Sequence, residues 1–265
     1  MPVTLAISVV GKTLATSIAK KFGGSVIERW TRRRRETFFQ SFAEALAIEF
    51  STGVQTEDVD KRLAELLADD TKSEVLFDAY RRVCFSKSKT LGPRIIGLLT
   101  GQLVHEGRMA NYEEECIFEA AEMLSDGDFV GFMKSYQEHR KKAEGITDPN
   151  AEHRMLGDSI IIRWSTESSD SAPFMSKFGN ELDIGPFPWE EALGRWAVKL
   201  KASGLMEERV SQNLAQISLP NEGETIMTKV TTAITFCSGC AKLYELLSRS
   251  LGPDSSEGMP QNGQG

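Results

Sequence analysis

Of the side chains able to do chemistry, the two thiols of Cys237-Ser-Gly-Cys240 are the one closely spaced pair of cysteines. That spacing suits dithiol exchange or half of a tetrahedral zinc site. Zinc needs four ligands, and no second pair stands at a suitable distance along the chain: Cys84, Cys116 and the three histidines are scattered. Exchange chemistry is favoured by a helix start directly after a strand, which the pattern around CSGC provides. It also calls for a thioredoxin-like βαβ layout, which is missing. The four cysteines are read as structural thiols in a reducing cytosol.

A second set is acidic. Glu115, Glu119 and Glu122 recur at i, i+4 and i+3 spacing on one helical segment, with Glu113, Glu114, Asp126 and Asp128 nearby. Carboxylates so placed suit a hard cation, a solvated face or a receptor for a basic segment. Ser86 and Lys89 match S-x-x-K, but Ser17 and Lys20 do too, and a spacing met twice by chance carries no weight. His105, His139 and His153 form no H-E-x-x-H, and neither G-x-S-x-G nor a phosphate-binding glycine loop occurs. No cofactor or metal is expected. A hydrolase or metal enzyme assembled from scattered residues remains a third reading.

The third set is basic and the most prominent. In "RWTRRRRETFF", Arg32, Arg33, Arg34 and Arg35 follow one another inside a segment of large apolar residues. Four consecutive helical positions sweep about 300°, so at least one arginine must face the side of Trp30 and Phe38. The four-residue series Trp30, Arg34, Phe38, Phe42 selects Arg34 as that one, its stem lying on apolar surface and its tip seeking an acidic partner. Arg32, Arg33 and Arg35 are then left for solvent, phosphates or acidic side chains. Upstream, Val3, Ile7, Val10, Leu14, Ile18 and Phe22 fall within about 120° of a helical wheel. The opposite face carries Lys12 and Lys20, with Lys21 beside it, and Gly23 and Gly24 mark the break before the arginines.

Residues 1–42 hold eight basic against two acidic residues, a net +6, which leaves −13 on the rest of a chain of net −7. A basic front on an acidic body suits an acidic protein surface or an anionic membrane surface. No run approaches the ~18 apolar residues that span a bilayer. A secretory signal is disfavoured because no positive residue precedes the first apolar run. The acid-free first 27 residues share features with a transit peptide, yet Lys stands where such peptides use Arg. The expected location is cytoplasmic, with a peripheral membrane position as the variant.

These residues need elements to hold them. A chain of 265 residues with 40% hydrophobic content can bury one large core or two small ones, and two are expected. Residues 1–144 read as all-helical. Thr56 caps a helix with Val59, Leu63 and Leu67; Thr71 and Glu74 form a capping box before Val75 and Leu76; Pro93 begins a helix through Ile95 and Leu99. Asn111 with Glu114 opens the acidic helix and Asp128 opens the next. Residues 145–157 read as a linker rich in Gly, Pro, Asp and Asn. Residues 158–251 read as α+β: a strand in "SIIIRWS", a helix face of Trp189, Leu193, Trp196 and Leu200, a strand in "TIMTKVTTAITF" and a closing helix. Residues 252–265 read as a disordered tail.

The helix ending in "KLKASGLMEE", followed by β structure and a closing helix, resembles a winged-helix domain over residues 189–249. The wing would need a partner strand within 206–220, with "AQISL" as the candidate. The whole layout, a mainly α N-terminal domain with a basic amphipathic start and a small winged-helix-like end, resembles bacterial Abi-alpha-type proteins linked to abortive phage infection. That resemblance implies a non-enzymatic interaction protein in phage defence, and no functional residue is carried over from it. The alternative reading is a nucleic-acid-binding protein acting through the winged-helix-like end or the arginines, although the C-terminal region is not strongly basic.

Overall fold

The structure, a computed structural model, describes residues 27–49, 68–170, 187–219 and 223–251. It is mainly helical, with a four-stranded antiparallel sheet in its C-terminal part. The upstream lysine-bearing helix, the helix capped by Thr56 and the tail lie outside the described residues. The described residues fall into two compact units. One runs up to Met133 and resumes at Gly239; the other is Lys134–Ser238.

The first unit is built on α1 (Ile27–Glu49), α2 (Asp70–Phe85), α3 (Leu91–Glu106), α4 (Tyr112–Met123) and the start of α5 (Asp126–Ala143). Its core joins Phe38, Phe39 and Phe42 of α1 with Val83 of α2 and Ile95, Ile96, Leu99 and Leu103 of α3, all buried. α1 and α3 approach at backbone level because Gly97 and Gly101 stand one turn apart on the facing side. A Cβ at Gly97 would lie 2.4 Å from the Phe38 carbonyl oxygen, and one at Gly101 would lie 2.6 Å from the Ala45 Cβ. Pro93 sits in the first turn of α3, as expected.

Helix starts follow the available side-chain acceptors. Asn111 and Glu114 exchange hydrogen bonds at 2.9 Å each way, the capping box the sequence predicts. At α2 the cap is Asp69, whose carboxylate accepts from the Lys72 amide at 3.1 Å, and Thr71 falls inside the helix. At α5 the Ser125 hydroxyl and the Asp128 carboxylate cap each other's amides, so the helix begins before Asp128. In both corrections an earlier polar side chain captures the free amides first.

The second unit contains the end of α5, β1 (His153–Leu156), β2 (Ser159–Asp170), α6 (Trp189–Leu193), α7 (Arg195–Ala202), β3 (Met206–Leu219) and β4 (Gly223–Phe236). The sheet order is β1-β2-β4-β3, every pair antiparallel. "AQISL" lies in β3, as the reading of 206–220 expects. Val230, Thr232, Ile234 and Phe236 point to the buried face and alternate with half-buried neighbours, the period of two that the sequence carries. Register sets Ile162 opposite Ile234 and Ile160 opposite Phe236. Tyr136 and Trp196 pack on the Phe236 ring at centroid distances of 5.8 and 6.2 Å.

Three expectations change here. The segment read as a linker ends in β1, because its last residues pair with Ile160–Ile162. The helix read through 189–200 is two helices, broken at Gly194, whose φ of 97° no helical residue can take. The closing helix, α8 (Ser238–Leu251), counts mostly with the first unit, where the Lys242 ammonium bonds the Glu114 carboxylate at 2.7 Å.

Candidate basic docking surface

The four arginines of α1 divide by burial. Arg35 is only 5% exposed, one turn ahead of Phe38 and Phe39, and its Nη1 donates to the Tyr80 hydroxyl at 3.5 Å. Arg34 is half-buried, and its Nε donates to the carbonyl of Ser88 at 3.1 Å. Arg32 and Arg33 are exposed, Arg32 pairing with Glu36 one turn along at 3.1 Å. The expectation that Arg34 is the inward arginine and Arg35 free for solvent is therefore corrected. α2 packs against α1 on the Arg35–Phe39 side, and Tyr80 offers the acceptor there, while Arg34 reaches over the edge of α1 to a turn. A backbone carbonyl does what an acidic partner was expected to do. Lys12, Lys20 and Lys21 lie outside the described residues.

That turn, residues 86–90 of "SKSKT", is folded by its serines. Ser86 donates to the Ala121 carbonyl at 3.0 Å. Ser88 donates to Asp126 at 2.5 Å and accepts from the Gly92 amide at 2.8 Å. Asp126 also takes the amides of Lys89, Thr90 and Leu91, so one carboxylate caps the start of α3. Burial raises the pKa of this group, but its bonds to Ser88 and to those amides outweigh burial and hold it below the usual aspartate value. With both serines inward, Lys87 and Lys89 are exposed on either side of the residue that Arg34 holds. Phe85, just before them, is 72% exposed.

The Arg34–Ser88 bond thus joins α1, with its exposed Arg32 and Arg33, to a turn that carries the exposed Lys87 and Lys89 and follows the exposed Phe85. Sequence reasoning missed Lys87, Lys89 and Phe85. The signal was the strict Ser-Lys alternation, which reads as an inward–outward pattern once the turn is known. Ser86 and Lys89 do not form a catalytic pair: the serine hydroxyl is spent on Ala121, and the lysine side chain points to solvent.

Glu115 bonds Arg82 of α2 at 2.6 Å, and the Arg82 guanidinium lies over the Phe118 ring. Glu114 is 1% exposed and is held by Arg108 at 2.6 and 2.8 Å and by Lys242 at 2.7 Å. Burial pushes Glu114 up, yet the Arg108, Lys242 and Asn111 bonds win and bring it to about 2. The cluster fastens α8 and the α3–α4 turn to α4.

In the second unit His139 and His153, fourteen residues apart, meet with Nδ1 and Nε2 3.0 Å apart. Among the described residues no group of three or more His, Cys, Asp or Glu is arranged to hold a metal. Cys237 is half-buried and Cys240 buried beside it in sequence; both thiols are free of disulfides. No helix among the described residues is long and apolar enough to cross a membrane. Comparison of the chain with protein-family models, curated proteins and solved structures finds no match.

Proposed function

We propose that this chain is a non-enzymatic interaction protein that docks on an anionic membrane surface through Arg32, Arg33, Arg34, Lys87, Lys89 and Phe85. The observation that carries the reading is the Arg34–Ser88 bond, which brings two separate basic stretches of sequence to one place. Basic side chains near an anionic bilayer each contribute about 1 kcal/mol, and an exposed aromatic ring sits well at the headgroup level. The lysines upstream, Lys12, Lys20 and Lys21, extend the same charge in sequence. Residues 43–265 carry net −13 even with Lys87 and Lys89 counted among them, and that charge keeps the rest of the surface away from the lipid and orients the molecule.

Co-sedimentation with vesicles of phosphatidylserine and phosphatidylcholine, against phosphatidylcholine alone, tests this. Binding to the anionic vesicles should fall with salt and weaken roughly thirtyfold in Lys87→Ala/Lys89→Ala. Equal and negligible sedimentation with both vesicles sinks the membrane reading. Salt-sensitive binding to an acidic polypeptide in its place moves the partner to an acidic protein. The layout's resemblance to Abi-alpha-type proteins supports a setting in phage defence, which a plaque assay in an expressing bacterial host tests.

A second reading rests on the β3–β4 hairpin. Two fourteen-residue strands follow α7 directly, the order in which a winged-helix domain sets its wing after a helix. Nucleic acid is ranked below membrane because Glu207 and Glu208 precede Arg209 at the base of that hairpin, and phosphate binding calls for net positive charge.

A further inference from the structure

We propose that His139 and His153 form an acid-sensitive latch, in which one proton shared between their facing nitrogens fastens β1 to the end of α5 and full protonation of both rings opens it. The two rings are nearly parallel, 15° apart, with centroids 5.1 Å apart and nitrogens 3.0 Å apart. A centroid separation so much longer than the nitrogen separation means that the rings lie edge to edge, not face on face, with the nitrogens meeting head-on. This is the geometry of an N–H···N hydrogen bond. It does not suit a shared metal, since nitrogens that meet head-on aim their lone pairs at each other and not at a common point to one side.

Such a bond requires one of the two facing nitrogens to be bare. Two neutral rings meet that condition, and so does a pair carrying one extra proton on an outer nitrogen. A doubly charged pair has a hydrogen on all four nitrogens and cannot close. The surroundings resist even the first charge. His139 lies against the Phe236 ring at 6.2 Å, and the His153 side chain is 10% exposed. The charged groups facing the pair are Lys142 and Glu138 from α5 and Glu152 from the approach to β1, whose carboxylate is 3.7 Å from the His153 Nδ1; from β4 the Phe236 ring lies against His139. Burial first, then the neighbouring His153 and Lys142, bring His139 down to about 4, and burial likewise lowers His153.

Both histidines therefore bind protons less readily in the closed form than in the open one. The latch is fully effective above the ordinary histidine value of about 6.5 and weakens as pH falls from there toward about 4. What opens is the sheet's edge. Among the described residues β1 has β2 as its one strand neighbour, so freeing His153 uncovers the backbone of Ile160–Ile162.

Amide hydrogen exchange of the whole protein, read residue by residue by NMR and corrected for the intrinsic pH dependence, tests the latch. Protection of His153–Leu156 and their partners in β2 should drop at least tenfold between pH 7.5 and 4.5, while the β3–β4 ladder stays protected. The two histidine rings should titrate together and below the ordinary range. His153→Phe, which keeps ring packing and loses the proton, should remove the pH dependence at the edge. Unchanged protection in the wild type, or two rings titrating independently near 6.5, overturns the proposal even if the variant fails to fold.

Discussion

The Arg34 guanidinium Nε donates to the Ser88 carbonyl at 3.1 Å, so an arginine from the middle of a charge run closes the turn between α2 and α3. The proposed docking surface and the fold therefore share a residue. Arg34→Met keeps the stem along the apolar surface but loses the donor. It should cost about 1–2 kcal/mol in urea unfolding, within the range for a hydrogen bond from a charged group at a partly exposed site. Arg34→Lys should recover little of that, because an ammonium lacks the sideways Nε–H.

Neighbouring arginines should behave in opposite ways. Arg35, 5% exposed and bonded to Tyr80, should lose about 1–3 kcal/mol on replacement by alanine, through lost packing of its stem and an emptied site beside Phe39. Arg33→Ala should stay within about 0.5 kcal/mol of wild type while weakening vesicle binding. Urea midpoints and co-sedimentation measured on the same two proteins decide it. If Arg33 proves the costly one, the assignment of inward and outward arginines is wrong.

Glu114 is the carboxylate whose charge matters most for stability. Its folded value of about 2 lies below the ordinary value of 4.5, so the unfolded chain binds the proton more readily. The stabilisation is complete above about pH 4.5 and is lost as pH falls toward 2. Glu114→Gln leaves Arg108 and Lys242 without their shared anion and should cost about 3–5 kcal/mol. It should also flatten the acid limb of the stability curve. A variant with wild-type stability at pH 7 would refute the claim that this cluster holds α8.

Much of this fold was legible in the sequence wherever a local signal was complete. Asn111 and Glu114 stand three apart ahead of an apolar run, and the capping box is there. Ile160 and Ile162 share one side of their segment, as Val230, Ile234 and Phe236 do of theirs, and the strands are there. The failures have a common physical source, which is that partners far along the chain decide orientation. Whether Arg34 or Arg35 turns inward depends on Tyr80, 45 residues beyond Arg35, and helical periodicity alone cannot supply that. Lys87 and Lys89 look like ordinary loop lysines until Asp126 pulls Ser88 inward and turns them out. His139 and His153 carry no motif because a helix end and a strand bring them together only after the sheet has formed. The apolar pattern Trp189, Leu193, Trp196, Leu200 continues across Gly194, so the periodicity hides a break that the glycine's positive φ makes.

Asp126 gathers more than an ordinary cap. It accepts from Ser88 and from three successive amides at the start of α3, so Asp126→Ala should cost more than the ~1 kcal/mol typical of a single helix cap, about 2–3 kcal/mol. Because its pKa is lowered in the folded chain, this contribution is present above the ordinary aspartate range and fades as pH falls below it. Thermal melts at pH 7 and pH 3.5 should therefore differ less in the variant than in the wild type.

Gly97 gives the sharpest test of packing because two effects of known sign compete there. Replacing a mid-helix glycine by alanine favours the helix by about 1 kcal/mol when nothing else touches the new methyl group. At Gly97 the methyl would sit 2.4 Å from the Phe38 carbonyl oxygen and 3.0 Å from the Ser41 Cβ. Neither is the far end of a flexible side chain, so α1 as a whole must move away from α3. Overpacking of this kind costs about 1–3 kcal/mol or more and should outweigh the propensity gain, leaving Gly97→Ala less stable than wild type. Gly127→Ala is the control, since its methyl would meet nothing closer than the Ser125 hydroxyl at 4.0 Å. That variant should be neutral or slightly stabilised in the same urea titration, and a Gly97→Ala protein that gains stability alongside it would show that the two helices do not meet at this depth.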